Sequence, residues 1–137
     1  MKTLHELKCY LVKENFNMNS IYINEPNVAE GLSLEGYDNT WTLSFVERRK
    51  KSIQKEFTNE KDLVKYALAK LRGNKWYKSK IIAFVHTEKE IKEVEEVLKA
   101  KDIYFERNDM PLYRDGPAYR IFVFGNDEFK VKKVLNY

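Results

Sequence analysis

The sequence predicts an α+β fold in a single domain spanning residues 1–137, with a mainly antiparallel sheet packed against three to four helices. Bulky apolar residues alternate with small polar ones over 40–47, which predicts a strand with one buried face. Apolar residues then recur at helical spacing over 63–71. A composition of 43% apolar residues, with 14% aromatic residues, is enough for a core of ordinary size.

A hairpin is predicted first within residues 40–73. Three bulky apolar side chains define its first strand: Trp41, Leu43 and Phe45. We expect all three to fill the core against the following helix. The charged residues 48–51 predict a turn in water. The return strand then places Ile53 and Phe57 on one side, where they cover the first strand.

The helix that follows the hairpin has clear predicted ends. Asn59 can cap its first turn, and acidic residues at 60 and 62 lie near the positive end of its dipole. Gly73-Asn74 ends it. This dipeptide is also the predicted seam between an N-terminal α-β-hairpin-α half and a C-terminal βαββα half of the one domain.

The residues before the hairpin predict one helix and further strands. Thr3 and Glu6 have the spacing of a capping box, so a helix is expected to about Asn15. Ile21-Tyr22-Ile23 is a short strand candidate. Alternation around Leu32 and Leu34 predicts a strand that pairs with the Trp41 strand across a loop that includes Gly36 and Asp38-Asn39.

The second half predicts a βαβ crossover. The uninterrupted apolar run 81–85 is typical of a strand buried on both faces. A second capping box at Thr87 opens a helix that reaches about Ala100, and 103–105 is the predicted parallel partner strand. Residues 119–124 predict a further strand, and a short helix is expected from Asp127 to about Asn136.

Charge and composition bear on location and partners. The formal net charge is +4, with basic and acidic residues interspersed in both halves, whereas polyanion binders usually concentrate their charge on one face. No apolar run approaches the roughly 20 residues that span a bilayer, and the first residues lack the apolar core of a signal peptide. We therefore expect a cytoplasmic protein that makes no membrane contact.

Few residues offer catalytic chemistry. His5, His86 and Cys9 are the only members of their residue types, and no phosphate loop, nucleophile elbow or zinc motif occurs. His86 follows the predicted buried strand, where it is either a general base or a hydrogen-bonded structural residue. A single cysteine cannot form an internal disulfide or by itself a zinc site. We expect no enzyme activity, no cofactor and no metal.

The strongest candidate for partner binding is the loop that precedes the 119–124 strand. Apolar, tyrosine and arginine residues dominate protein interfaces, and they are concentrated here: Leu112, Tyr113, Arg114, Asp115 and Tyr119. A loop framed by prolines loses less entropy when a partner orders it. The alternative, in which Leu112 and Tyr113 fold onto the core of the chain itself, stays open.

Two further surfaces are candidates for a second contact patch. The basic hairpin tip carries Arg48 and Arg49, and the helix after Thr87 carries a run of glutamates that includes Glu93 and Glu96. The tip has two interpretations, because projecting cations either grip phosphates or protect a strand edge from pairing with other chains. A small nucleic-acid-binding or regulatory protein is therefore the alternative function.

The central region resembles immunity proteins of bacterial polymorphic toxin systems, in particular the immunity protein family numbered 59. The residues that carry the resemblance are Gly36, Trp41, Phe45, Glu47-Arg48, Phe57, Asn59-Glu60 and Tyr66. Such families often place a glycine after the Glu-Arg pair, where this chain has Arg49. The resemblance implies a small cytoplasmic protein without enzyme activity. We expect this protein to be a monomer in isolation. The resemblance also implies binding to the C-terminal domain of a co-encoded toxin, in a heterodimer that blocks the toxin.

Overall fold

The computed structural model describes residues 1–26 and 28–135, and the α+β class is confirmed. The chain divides into two compact units, the first ending at Tyr77 and the second beginning at Lys78. The first unit contains α1 (Leu4–Lys13), β1 (Ile21–Ile23), β2 (Gly31–Tyr37), β3 (Thr40–Glu47), β4 (Lys50–Phe57) and α2 (Glu60–Arg72). After a 3-10 turn at Lys75–Lys78, the second contains β5 (Ser79–Val85), α3 (Glu88–Ala100), β6 (Glu106–Met110), β7 (Ala118–Phe124) and α4 (Asp127–Leu135).

The first unit packs both of its helices against a four-stranded sheet with strand order β1-β2-β3-β4. β1 is parallel to β2, and the other pairs are antiparallel. Two-residue turns join the hairpins, at Asp38-Asn39 and at Arg48-Arg49, and all four residues have φ between 51° and 64°. This left-handed conformation matches the twist of the flanking strands.

The helix ends of the first unit follow the sequence prediction. Thr3 Oγ1 accepts a hydrogen bond from Glu6 N and donates one to a Glu6 carboxylate oxygen, so Thr3 caps the first turn of α1. Asn59 accepts from Asp62 N at the start of α2. Glu60 of α2 accepts a 2.9 Å hydrogen bond from Leu4 N, so the two helices are joined where both begin.

The expected placement of Ile53 and Phe57 on one side is wrong. The pairing of β3 with β4 shifts between Leu43 and Ser44, so Phe57 lies opposite Trp41 whereas Ile53 lies opposite Ser44. Successive residues of a strand point to opposite faces, and the bulge adds one residue to β4. Ile53 therefore lies on the face of the sheet opposite the helices, which we call the helix-free face, and is 54% exposed.

The expectation that Phe45 fills the core, which came from the alternation of residues in β3, is also wrong. Leu43 is fully buried and Trp41 packs against the core, but Phe45 is 37% exposed. Its neighbour on β4 is the small Ser52, which leaves one flank of the ring uncovered. Lys70 Nζ of α2 lies 5.1 Å from the ring centroid. Phe45 thus lies at the margin of the core.

The second unit has a three-stranded antiparallel sheet with strand order β5-β7-β6. Because β7 is antiparallel to both neighbours, β5 and β6 run in the same direction without pairing. The expected strand at 103–105 is not formed, and the strand begins at Glu106 instead. Helices α3 and α4 pack on one face of the sheet, around Ile91, Ile121 and Val131.

The prediction that residues 81–85 are buried on both faces is wrong, because β5 is an edge strand with helices on one side only. Ile81 and Phe84 are exposed, whereas Ile82 is buried at a register shift between Ile81 and Ala83. The expected end of the last helix at Asn136 lies outside the described residues. None of the helices in the described residues is long and apolar enough to cross a membrane.

Candidate functional site

The loop between β6 and β7 forms the wall of a groove in the second unit. β7 begins opposite the end of β5, since Tyr119 pairs with Val85. This register brings the loop beside His86, which follows β5 directly, and His86 Nδ1 lies 3.3 Å from the Pro117 carbonyl oxygen. The groove has a volume of about 440 Å³ and is lined by Phe84, His86 and residues 113–117.

Three aromatic rings line the groove. The Tyr113 ring is stacked on the His86 ring, with centroids 6.2 Å apart and planes 25° from parallel. The Phe84 ring meets both edge-on, at centroid distances of 5.4 Å to Tyr113 and 5.7 Å to His86. Such edge-to-face contacts are favourable because the ring edge is positive and the ring face negative. We call these three residues the aromatic cluster.

The loop closes on itself beside the cluster. Gly116 N donates a 2.8 Å hydrogen bond to the Tyr113 carbonyl oxygen, and Gly116 has φ of 156°, which favours glycine. The Arg114 guanidinium lies 5.5 Å from the Tyr113 ring centroid. Leu112 is 94% exposed, so this side chain does not fold onto the core. Tyr113 instead packs on Phe84 and His86, which are themselves exposed.

Tyr119 is placed on the other face of the sheet. It packs against the core on the helix side, and the Arg107 guanidinium lies 5.1 Å from its ring centroid. Tyr119 therefore does not line the groove formed by Tyr113, Arg114 and Asp115. Of the five residues expected to form one patch, Tyr113, Arg114 and Asp115 line the groove, Tyr119 lies on the helix side of the sheet, and Leu112 is exposed in the loop.

Arg107 organises the acidic surface of α3. Its guanidinium donates to Glu88, Glu95 and Asp109, with one nitrogen–oxygen distance of 2.7 Å to each. These hydrogen bonds, above all the one donated to Asp109 and then the one donated to Glu88, raise the pKa of Arg107 above its ordinary value. Two glutamates of α3 thus hold the helix to β6, while Glu93 and Glu96 remain exposed.

The basic hairpin tip lies in the first unit. Arg48 and Arg49 are exposed in the turn, and Lys50 begins β4. Lys51 is paired with Glu35, so this cation is partly neutralised. The exposed Phe45 ring lies in the same shallow depression as Arg48 and Lys50.

The remaining candidates for chemistry lie apart from the groove. Cys9 Sγ is 3.8 Å from His5 Nε2 on the exposed side of α1. In residues 1–26 and 28–135, no group of three or more histidine, cysteine, aspartate or glutamate residues is placed to hold a metal ion.

The sequence prediction missed Phe84 and His86 as lining residues. Phe84 belongs to an apolar run that resembles a buried strand, and His86 lies far from Tyr113 in sequence. A signal was present, because an edge strand with helices on one side leaves alternate residues of such a run exposed. Using that signal requires knowing that β5 lies at the edge of the sheet. This is known only once β7 is placed between β5 and β6.

The chain matches no protein-family model, no curated protein and no solved structure. The resemblance to immunity proteins stays a prediction.

Proposed function

We propose that this chain is a non-enzymatic immunity protein that binds the C-terminal domain of a co-encoded bacterial toxin and neutralises it. The observation that supports this most is the exposed surface formed by Leu112 and the aromatic cluster. Aromatic side chains beside an arginine are the residue types that contribute most energy to protein interfaces. This surface is the proposed centre of the interface with the toxin domain.

The aromatic cluster suits an interface because its rings are already ordered. Phe84, His86 and Tyr113 hold each other in place by ring contacts. Binding then immobilises few additional rotamers, which lowers the entropic cost of association. Arg114 and Asp115 at the rim supply charges of both signs for orienting a partner.

A stable inhibitor complex usually buries about 1,200–2,000 Å² in total. One loop supplies only part of that area, so a second patch is required. The exposed glutamates Glu93 and Glu96 and the basic residues Arg48 and Arg49 are the candidates named by the sequence. The charge of the toxin surface decides between them.

A survival assay tests the proposed function. Cells that produce the toxin domain encoded beside this protein should survive when the wild-type chain is present. The double variant Phe84→Ser/Leu112→Ser, which removes two exposed apolar side chains, should lose this protection while retaining its circular dichroism spectrum. Val12→Ser removes an exposed apolar side chain from α1 and should protect as the wild type does. Cells that die despite the wild-type chain would refute the proposal.

Nucleic-acid binding by the hairpin tip is the second candidate. One observation favours it, namely the exposed Phe45 ring beside Arg48 and Lys50, because bases stack on aromatic rings next to cations. Such binding should weaken steeply as salt rises from roughly 50 to 200 mM, since bound counterions are released. Fluorescence anisotropy with labelled RNA tests it. Binding that is lost in Arg48→Ala/Lys50→Ala would make this the leading function.

A further inference from the structure

The helix-free face of the first sheet is acidic at one end. Glu35 of β2 and Glu56 of β4 both lie opposite Thr42 of β3, so one row across three strands carries two carboxylates. Asp38 follows in the adjacent turn. These residues border a shallow groove of about 320 Å³, and we call the three carboxylates with the groove the acidic end.

Only one of these carboxylates is paired in the part of the chain that the structure describes. Lys51 of β4 lies opposite Val46, which follows Ser44 by two residues in β3. Its ammonium donates to Glu35 of β2. The ion pair therefore crosses Ser44 diagonally, which accounts for the burial of that serine. Asp38 and Glu56 have no basic partner among the described residues.

The basic hairpin tip does not neutralise the acidic end. The two lie at opposite ends of β3, which has eight residues. At about 3.4 Å per residue the separation is roughly 25 Å. The Debye length at physiological ionic strength is only about 8 Å. A local negative potential therefore persists on a chain whose formal net charge is +4.

Two apolar side chains stand beside the carboxylates. Tyr37, at the end of β2, is 85% exposed, and Ile53 of β4 is the residue that the bulge moves onto this face. An arginine side chain can make two contacts here, one with the exposed tyrosine ring and one with the carboxylates. The guanidinium plane stacks on the ring, and its nitrogen atoms donate to the carboxylate oxygens.

We infer that the acidic end is a docking surface for a basic, arginine-bearing segment of a partner protein. Charge complementarity selects this occupant, because the same carboxylates repel nucleic acid and acidic proteins. The inference stands apart from the proposed function, since it uses neither the aromatic cluster nor the loop beside it. An arginine of the partner stacks on Tyr37 and pairs with Asp38 or Glu56.

The residues of the acidic end can be neutralised without disturbing the fold. Asp38 has φ of 51°, a conformation that asparagine tolerates as well as aspartate does, so Asp38→Asn preserves the turn. Glu56→Gln keeps the length of an exposed side chain on an edge strand. Glu93→Gln/Glu96→Gln removes the same amount of charge from α3 and serves as the matched control.

The test is an NMR titration of the full chain with a synthetic peptide of alternating arginine and glycine. We expect shifts in the amide signals of Tyr37, Asp38 and Glu56 and a Kd that rises about fivefold to tenfold in Asp38→Asn/Glu56→Gln, as for the loss of two exposed charge contacts. Tyr37→Ser should also weaken binding, and the control variant should change the Kd less than about twofold.

Three outcomes would overturn the inference. The first is no saturable binding of the arginine peptide at low salt. The second is equal weakening in Asp38→Asn/Glu56→Gln and in the α3 control, which would indicate attraction to any acidic surface. The third is that a glutamate-glycine peptide or oligothymidine shifts the same amide signals equally.

Discussion

Gly36 lies directly opposite Trp41 in the β2–β3 hairpin, and the indole of Trp41 occupies the space above the glycine. A Cβ atom at position 36 would lie 2.2 Å from Trp41 Cζ3. The glycine therefore lets a large aromatic ring lie close to the backbone of the neighbouring strand. Trp41 packs in this way against the core formed with α2.

Gly36→Ala should destabilise the protein by about 1–3 kcal/mol, because the methyl group forces the indole from its place. Thermal unfolding measures the change. The matched control is the same substitution in a Trp41→Leu background, where the space is vacant and the added cost should fall below about 0.5 kcal/mol. Equal losses of stability in both backgrounds would show that the Trp41 ring is not the reason for the glycine at position 36.

Phe45→Ala should cost about 1–2 kcal/mol of unfolding free energy, because the ring is already partly in water. Leu43 lies two residues away in β3 and is fully buried, so Leu43→Ala should cost about 2–5 kcal/mol of unfolding free energy. Urea denaturation compares the two variants. A larger loss of stability in Phe45→Ala than in Leu43→Ala would show that Phe45 is a core residue, as the sequence predicts.

Arg49→Gly should stabilise the protein by about 0.5 kcal/mol. Arg49 has φ of 64°, a conformation that glycine adopts without steric cost. Lys50→Gly, one residue later in β4, is the control and should destabilise by about 0.5–1 kcal/mol. A loss of stability in Arg49→Gly similar to that in Lys50→Gly would contradict the turn assignment.

Arg107→Met should destabilise the protein by about 2 kcal/mol, because Glu88, Glu95 and Asp109 would then face each other without a cation. Arg107→Lys should recover part of this loss, since lysine keeps the charge but not the fork of donors. Lys99→Met removes an exposed partner 4.0 Å from Glu95 and should cost less than about 0.5 kcal/mol. Similar melting temperatures for the two methionine variants would contradict the role assigned to Arg107.

Local signals predicted much of this fold. The capping residues Thr3, Asn59 and Thr87 each mark a helix that begins one residue later, because their side chains satisfy free amide groups of the first turn. The Asp38-Asn39 turn lies within the predicted loop, but Gly36, which was expected in the same loop, belongs to β2.

Features that depend on strand pairing were not predictable from local patterns. The bulge opposite Leu43 and Ser44 places Ile53 on the helix-free face, and no residue type marks its position. β7 lies between β5 and β6, so the expected crossover strands do not pair. The groove depends on the same pairing, since only the register of β7 brings Tyr113 to Phe84 and His86.

Isothermal titration of the chain with the co-encoded toxin domain tests the proposed interface most directly. Tyr113→Ala/Arg114→Ala should bind at least about 2 kcal/mol more weakly, a rise in Kd of about thirtyfold. Val12→Ala/Lys13→Ala, which removes an exposed apolar and a basic side chain from α1, should bind as the wild type does. Undiminished binding by the folded Tyr113→Ala/Arg114→Ala variant would contradict the account.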